Sequence, residues 1–213
     1  HSDNEHMIVR KTKPILLEIV VRGYMTGESE TSIWNMYKKG SRRMYGIHFR
    51  DGYKKNEKLD DITITITTKG IKDIPITETE IIEKGYLTKE EYDYIASSSL
   101  ELFNYGQKIA SKKGFILVDT KYEFGRLDNG KIILIDELHT CDSSRFWIQK
   151  SYQERFEKNL EPEKLDKDCI RDWIKSHCDP YKDAIPEVPE SIKNKVEEVY
   201  LIYTQKLTGK YLK

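Results

Sequence analysis

Residues 114–137 read GFILVDTKYEFGRLDNGKIILIDE, two apolar, β-branched runs on either side of Asp128-Asn129-Gly130. An Asn-Gly pair supplies the positive φ angles of a tight hairpin turn. GFILVD (114–119) and KIILID (131–136) are therefore predicted to be β segments that pair antiparallel. Along a strand, alternate side chains point the same way, so Asp119, Lys121 and Glu123 share one face and Tyr122 and Phe124 the other. The second run ends in Asp136-Glu137, which brings more carboxylate to the same region. Asp119, Glu123 and Asp136 around one lysine suit a hard cation, because magnesium is held by one or two carboxylates together with substrate phosphates. The same pattern also suits a solvated strand face crossed by ion pairs.

Just past the acidic strand, residues 142–147 read DSSRFW. Two hydroxyls and a guanidinium in sequence fit recognition of a phosphate or carboxylate, with Arg145 as the bidentate group. A capped helix start with Arg145 on the surface is the other reading. Upstream, PILLEIVVR (14–22) is an apolar strand with Glu18 as its one internal charge, and ITITITT (62–68) alternates with the period of a half-buried or edge strand. Glycines at 27, 40, 46 and 52 break the stretch between them into loops and short elements. Thr77 with Glu80 and Thr88 with Glu91 both match a capping box, and the second opens a long helix over 89–113 that Gly114 stops. Helices are also expected over 165–177 and 189–207. The apolar stripe of the latter, Val196, Val199, Tyr200, Tyr203 and Leu207, serves either as core or as a dimer face.

The 213 residues carry 36 Lys+Arg and 36 Asp+Glu, so the formal net charge is zero. That balance argues against a phosphate-backbone binder, since there is no overall electrostatic pull toward nucleic acid or an anionic membrane. Interrupted basic pairs such as Lys38-Lys39 and Lys54-Lys55 read as solvated surface. Cys141, Cys169 and Cys178 are odd in number and contain no C-x-x-C, which argues against a disulfide framework or a standard zinc site and for a reducing compartment. No apolar run is long enough to span a bilayer, and a cytoplasmic protein without nucleic-acid or membrane partners is expected.

Taken in order, VVRGYMTG (20–27), TTKG with the following Asp73, LVDTKYEFG (117–125) and IDELHTCDSSRFW (135–147) resemble the signature blocks of the SAICAR synthetase family. TSIW, YLTKEEYDYI and SYQERFEKNLEPEKLDKDCIRDWIKSHCDPY are similar to its plant-type subgroup. The resemblance runs through nearly the whole chain. It implies an α+β fold, a kinase- and ATP-grasp-related lobe with an antiparallel sheet and packed helices. It also implies the family's reaction: condensation of a carboxyaminoimidazole ribotide (CAIR) with L-aspartate, using ATP and magnesium, through an acyl phosphate. The alternatives are an inactive nucleotide-binding or interaction module of the same fold, and a phosphotransferase acting on another carboxylate.

The resemblance also implies roles. Glu123 and Asp136 are the magnesium ligands beneath the ATP phosphates, Lys121 meets developing negative charge, and Asp119 orients Lys121 or the amine. Arg22 and Arg145 grip the ribotide phosphate with Ser144 as a hydroxyl donor, Lys69 and Asp73 contact substrate, and the backbone at Lys13, Ile15 and Leu16 meets adenine. Family members open with a small β lobe whose Gly-rich loop and lysine cover ATP. On that comparison residues 1–17 are a remnant of that lobe and its hinge and 18–213 the substrate and metal lobe. The chain is then expected to turn over little by itself, with the lobe supplied by a separate chain or a homo-oligomer formed. Three positions depart from the family pattern: Glu28 where Ser is usual, Cys141 where Pro is usual, and a shortened 69–73 segment.

Overall fold

A computed structural model describes residues 8–70, 72–165, 168–180 and 182–209. Its centre is β7 (Phe115–Arg126), a twelve-residue strand that changes neighbours along its length. In its first part it lies between β2 (Leu17–Tyr24) and β9 (Ser144–Ile148), and in its last part between β1 (Lys13–Pro14) and β8 (Ile132–Ile135), antiparallel throughout. Beyond β2 come β5 (Lys58–Thr68) and β6 (Ile74–Ile76), giving the order β1-β7-β2-β5-β6 in a seven-stranded sheet. The Asn129 turn forms as expected, with the Leu127 amide donating to the Lys131 carbonyl at 2.9 Å. What it pairs differs from the expectation. KIILI meets Glu123–Arg126, and FILVD pairs with β9 and β2 instead. A hairpin zips outward from its turn, so the partners of 132–135 are the residues nearest the turn on the other side.

A register shift between Leu117 and Asp119, opposite β9, decides which side chains reach the site. Before it, Phe115 and Leu117 face the main core; after it, Tyr122 and Phe124 do. The parity changes from odd to even, as one extra residue in a bulge requires. Without that bulge, Asp119, Lys121 and Glu123 would fall on the same side as Phe115 and Leu117, in the core. The bulge turns them onto the opposite face of the sheet.

The core face is covered by α3 (Lys89–Lys112) and α6 (Glu190–Thr208). Both capping boxes are complete, at Thr77 for α2 (Glu78–Glu83) and at Thr88 for α3. Gly114 and Gly209 end α3 and α6 with φ of 81° and 73°. Helix α3 buries Ile95, Phe103 and Ala110 against Leu17, Ile19, Phe115 and Tyr122, and truncating a fully buried Phe such as Phe103 to Ala costs about 3–5 kcal/mol. On α6, Tyr203 is buried, with Val199, Tyr200 and Leu207 packed around it, so that stripe is core. Helix α5 (Asp168–His177) matches its expected span except at the start, where the Leu165 amide instead bonds to the Phe146 carbonyl. Residues 142–147 enter a strand rather than a helix, and α4 (Gln149–Glu157), which follows at once, was not expected.

Residues between β2 and β5 form a small unit of their own. It holds α1 (Ile33–Lys38) and a hairpin of β3 (Arg43–Met44) and β4 (Ile47–His48). Met25, Ile33, Tyr37, Met44, Phe49, Tyr53 and Leu59 bury one another there.

Candidate active site

Two rows of charge lie across the polar face of the sheet. The first runs over three adjacent strands, because Asp119 on β7 is the register partner of both Arg22 on β2 and Arg145 on β9. Arg145 Nη1 donates to Asp119 Oδ2 at 2.6 Å, and Arg22 Nη1 lies 3.5 Å from the same oxygen. Arg22 Nε is satisfied by the Thr65 hydroxyl at 2.9 Å. Arg22 and Asp119 are only 8% and 7% exposed. Burial pushes the Arg22 pKa down and the Asp119 carboxylate opposes that shift. Two guanidiniums thus converge on one carboxylate oxygen, and guanidiniums are suited to bidentate recognition of phosphate or carboxylate.

The second row is centred on Lys121. Its ammonium donates to Glu123 Oε1 at 2.8 Å and to Glu18 Oε1 at 3.3 Å, and lies 3.9 Å from Asp136 Oδ2. Lys69 donates to the other oxygen of Glu123, which is 5% exposed. Burial opposes both charges, but the Lys121 hydrogen bond to Glu123 and the charge of Glu18 hold the ammonium above its usual range. Burial would likewise raise the Glu123 carboxyl, yet its bonds from Lys121 and Lys69 hold it below the usual carboxylate range.

Glu123 and Asp136 thus meet at one cation, an ammonium in the present arrangement. That is the donor set a magnesium ion takes when phosphates and water complete its shell. Among the described residues no group of three or more His, Cys, Asp or Glu is placed to hold a metal, so the residues fit a two-carboxylate site and not an all-protein cage. Of the expected trio, Glu123 and Asp136 lie beside Lys121 and Asp119 is paired with arginine. Asp119 stands four residues from Glu123, roughly 13 Å along a strand, and its ion pairs run to Arg145 and Arg22.

The other expected residues divide. Ser144 is the register partner of Thr120, with its hydroxyl 2.7 Å from the Thr120 hydroxyl and both side chains buried, on the side of β9 away from Arg145. Lys69 joins the Lys121 row, whereas Asp73 is exposed. At the expected hinge, Lys13 pairs with Arg126, the Ile15 amide donates to the Phe124 carbonyl at 2.9 Å, and the Leu16 carbonyl accepts from Lys69 at 3.1 Å. These backbone groups are engaged within the sheet. Glu28 turns to Lys55 at 3.2 Å and Lys175 at 3.9 Å, and the hydrogen bond from Lys55 chiefly lowers its pKa. Cys141 is buried.

Sequence reasoning missed Glu18, Thr65 and His139. Glu18 carried a readable signal, since it is the lone charge of an apolar strand and shares the parity of Arg22. His139 did not. It lies within the loop joining β8 to β9, its Nε2 2.6 Å from the Tyr122 hydroxyl and its carbonyl accepting from Tyr203, and burial pushes its pKa down to about 4.

Among known proteins, the family model described as SAICAR synthetase matches residues 1–188. A putative phosphoribosylaminoimidazole-succinocarboxamide synthase 2 of Agrobacterium fabrum is 48% identical over 208 residues, covering 96% of this chain and 66% of that protein. The chloroplastic phosphoribosylaminoimidazole-succinocarboxamide synthase of Vigna aconitifolia is 48% identical over 192 residues, 89% of this chain and 56% of that one, in keeping with the plant-type blocks. The solved SAICAR-synthase from Saccharomyces cerevisiae, complexed with SAICAR, superposes with a TM-score of 0.75 at 28% identity, over 95% of this chain and 63% of that one. This chain spans between about half and two thirds of the length of such curated relatives. With the match running through most of its length, the chain belongs to the SAICAR synthetase family.

Proposed function

We propose that this chain carries the substrate- and metal-binding part of an ATP-dependent ligase of purine biosynthesis, which joins the carboxylate of CAIR to the amine of L-aspartate. A carboxylate is a poor acyl donor, since oxide would have to leave. In the proposed course a CAIR carboxylate oxygen attacks the γ-phosphorus of ATP and ADP departs. The aspartate amine then attacks the acyl carbon, phosphate leaves with the C–O bond electrons, and the nitrogen loses a proton to give the amide SAICAR. The protein's part is chiefly to position the partners and to offset charge.

The observation that carries this reading is the pair of adjacent charge rows. Arg22 and Arg145, locked by Asp119, offer a positive place for the ribotide phosphate. Lys121 stands beside the reacting carboxylate, where its raised pKa keeps it a cation as negative charge develops. Glu123 and Asp136 would hold magnesium, which when bound there offsets the charge of the ATP phosphates. Lys69 would follow substrate charge from its half-exposed position, and Asp73 would contact substrate. Residues 1–17 act as the hinge side of the nucleotide site, with residues 18–213 as the substrate and metal lobe. A reducing compartment such as the cytoplasm suits three cysteines that contain no C-x-x-C. No helix among the described residues is long and apolar enough to cross a membrane.

Calorimetric titration of CAIR into the chain tests the reading, with Arg145→Ala alongside. Binding that falls by about tenfold or more in the variant is expected, since a charge-assisted pair is lost. A chain that binds CAIR no better than inorganic phosphate would refute it.

A further inference from the structure

Glu123 and Asp136 are held in different ways. Glu123 lies within β7, buried, with a lysine on each carboxylate oxygen. Asp136 is exposed and is the first residue after β8, and among the described residues no hydrogen bond reaches its carboxylate; Lys121 stands 3.9 Å away. Where that carboxylate points is therefore set by the backbone of the loop joining β8 to β9. Asp136 and His139 both have left-handed backbone there, with φ of 64° and 53°. Residues other than glycine keep that conformation where their surroundings hold it.

What holds the loop is His139. Leu138 is exposed and Glu137 accepts from the Thr140 hydroxyl within the loop, so between Asp136 and Thr140 the imidazole is the side chain that reaches a strand. Its Nε2 lies 2.6 Å from the hydroxyl of Tyr122, which stands on β7 between Lys121 and Glu123 and faces the core, and its carbonyl accepts from the Tyr203 hydroxyl of α6. Both tyrosines are themselves fixed, Tyr122 by full burial and Tyr203 by packing on Phe115 and Phe146. Gly106 of α3 leaves room for the ring, since a β-carbon there would lie 2.4 Å from its Cε1. We propose that His139 is a positioning residue: anchored by Tyr122 and Tyr203, it fixes the loop so that Asp136 meets Glu123 at one divalent cation. The assignment rests on the metal site of the ligase reading above and adds what sets its geometry.

Tyr122→Phe removes one oxygen and leaves the ring in the core. Water-proton relaxation of Mn2+ with ATP present, on the full chain, gives the cation affinity of wild type, Tyr122→Phe, Asp136→Asn and the double variant. Expected is a loss of roughly fivefold for Tyr122→Phe, the effect of one hydrogen bond. The same change made in Asp136→Asn should cost nothing further, because groups that act through one contact are not additive. Equal affinity in wild type and Tyr122→Phe would overturn the positioning role. A fivefold loss in both backgrounds would also overturn it, since that pattern marks a loosened core. Tyr203→Phe frees the His139 carbonyl through a different element and is expected to give the same pattern; it decides the question should Tyr122→Phe fail to fold. Wild type and Asp136→Asn holding Mn2+ alike would overturn the metal site and this assignment with it.

Discussion

Gly106 in the middle of α3 offers a substitution for which two physical effects have opposite signs. Replacing an interior helical glycine with alanine ordinarily stabilises by about 1 kcal/mol through helix propensity. Here an added β-carbon would lie 2.4 Å from His139 Cε1, 2.7 Å from Nδ1 and 2.9 Å from Leu117 Cδ2. The imidazole has no easy retreat, because its Nε2 is bonded to Tyr122 at 2.6 Å and its backbone, at φ 53°, is tied through its carbonyl to Tyr203. Moving it strands the fully buried Tyr122 hydroxyl, at about 1–3 kcal/mol, and overpacking adds about 1–3 kcal/mol. Steric cost wins, and Gly106→Ala is expected to destabilise by about 2 kcal/mol or more. For a domain of this size that lowers Tm by roughly 4–8 °C, read by urea and thermal denaturation. In a Tyr122→Phe background the penalty should shrink, the bond being already absent. A Gly106→Ala chain as stable as wild type, or more so, would refute the packing described around His139.

His139 also predicts a pH dependence. Its folded pKa, pushed down to about 4, lies below the unfolded value near 6.5, so the unfolded chain binds the proton first and stability falls as pH drops from about 6.5 to about 4, by up to roughly 2 kcal/mol after allowing for its partial exposure. His139→Gln should flatten that part of a Tm–pH profile; an unchanged slope would count against it. Asp119→Asn removes the carboxylate that the buried Arg22 and the half-buried Arg145 share and should cost about 3 kcal/mol, while sulfate, which supplies negative charge there, should restore more Tm to the variant than to wild type. Glu123, held below the usual carboxylate range by Lys121 and Lys69, contributes stability that is present above its unfolded pKa and lost as pH falls through the folded one. Acid titration of Glu123→Gln should accordingly show a smaller loss below about pH 4.5 than wild type does.

Much of this was readable along the chain. The two capping boxes at Thr77 and Thr88 name their own helices because both partners lie three residues apart, and the Asn129 turn fixes a hairpin by local geometry. The charged parity of Asp119, Lys121 and Glu123 was readable for the same reason. Which partners those charges take was not, because that depends on strands distant in sequence: Arg22 and Arg145 flank Asp119 only once β2 and β9 have paired with β7. The bulge past Leu117 leaves no residue signature, although FILVD does break alternation there. Helix α4 has no buried residue and so no apolar period to read. Tyr45 and His139 take left-handed backbone against their own preference, and only the tertiary structure imposes that.

The account depends most on Glu123 and Asp136 converging on one cation. Water-proton relaxation of Mn2+ in the presence of ATP measures this directly in the wild-type chain, Glu123→Gln, Asp136→Asn and the double variant. The arrangement predicts that either single change weakens Mn2+ binding by about tenfold or more, since one of two charged ligands is lost, and that the double change does little further harm. Mn2+ held equally well by all four proteins would contradict it.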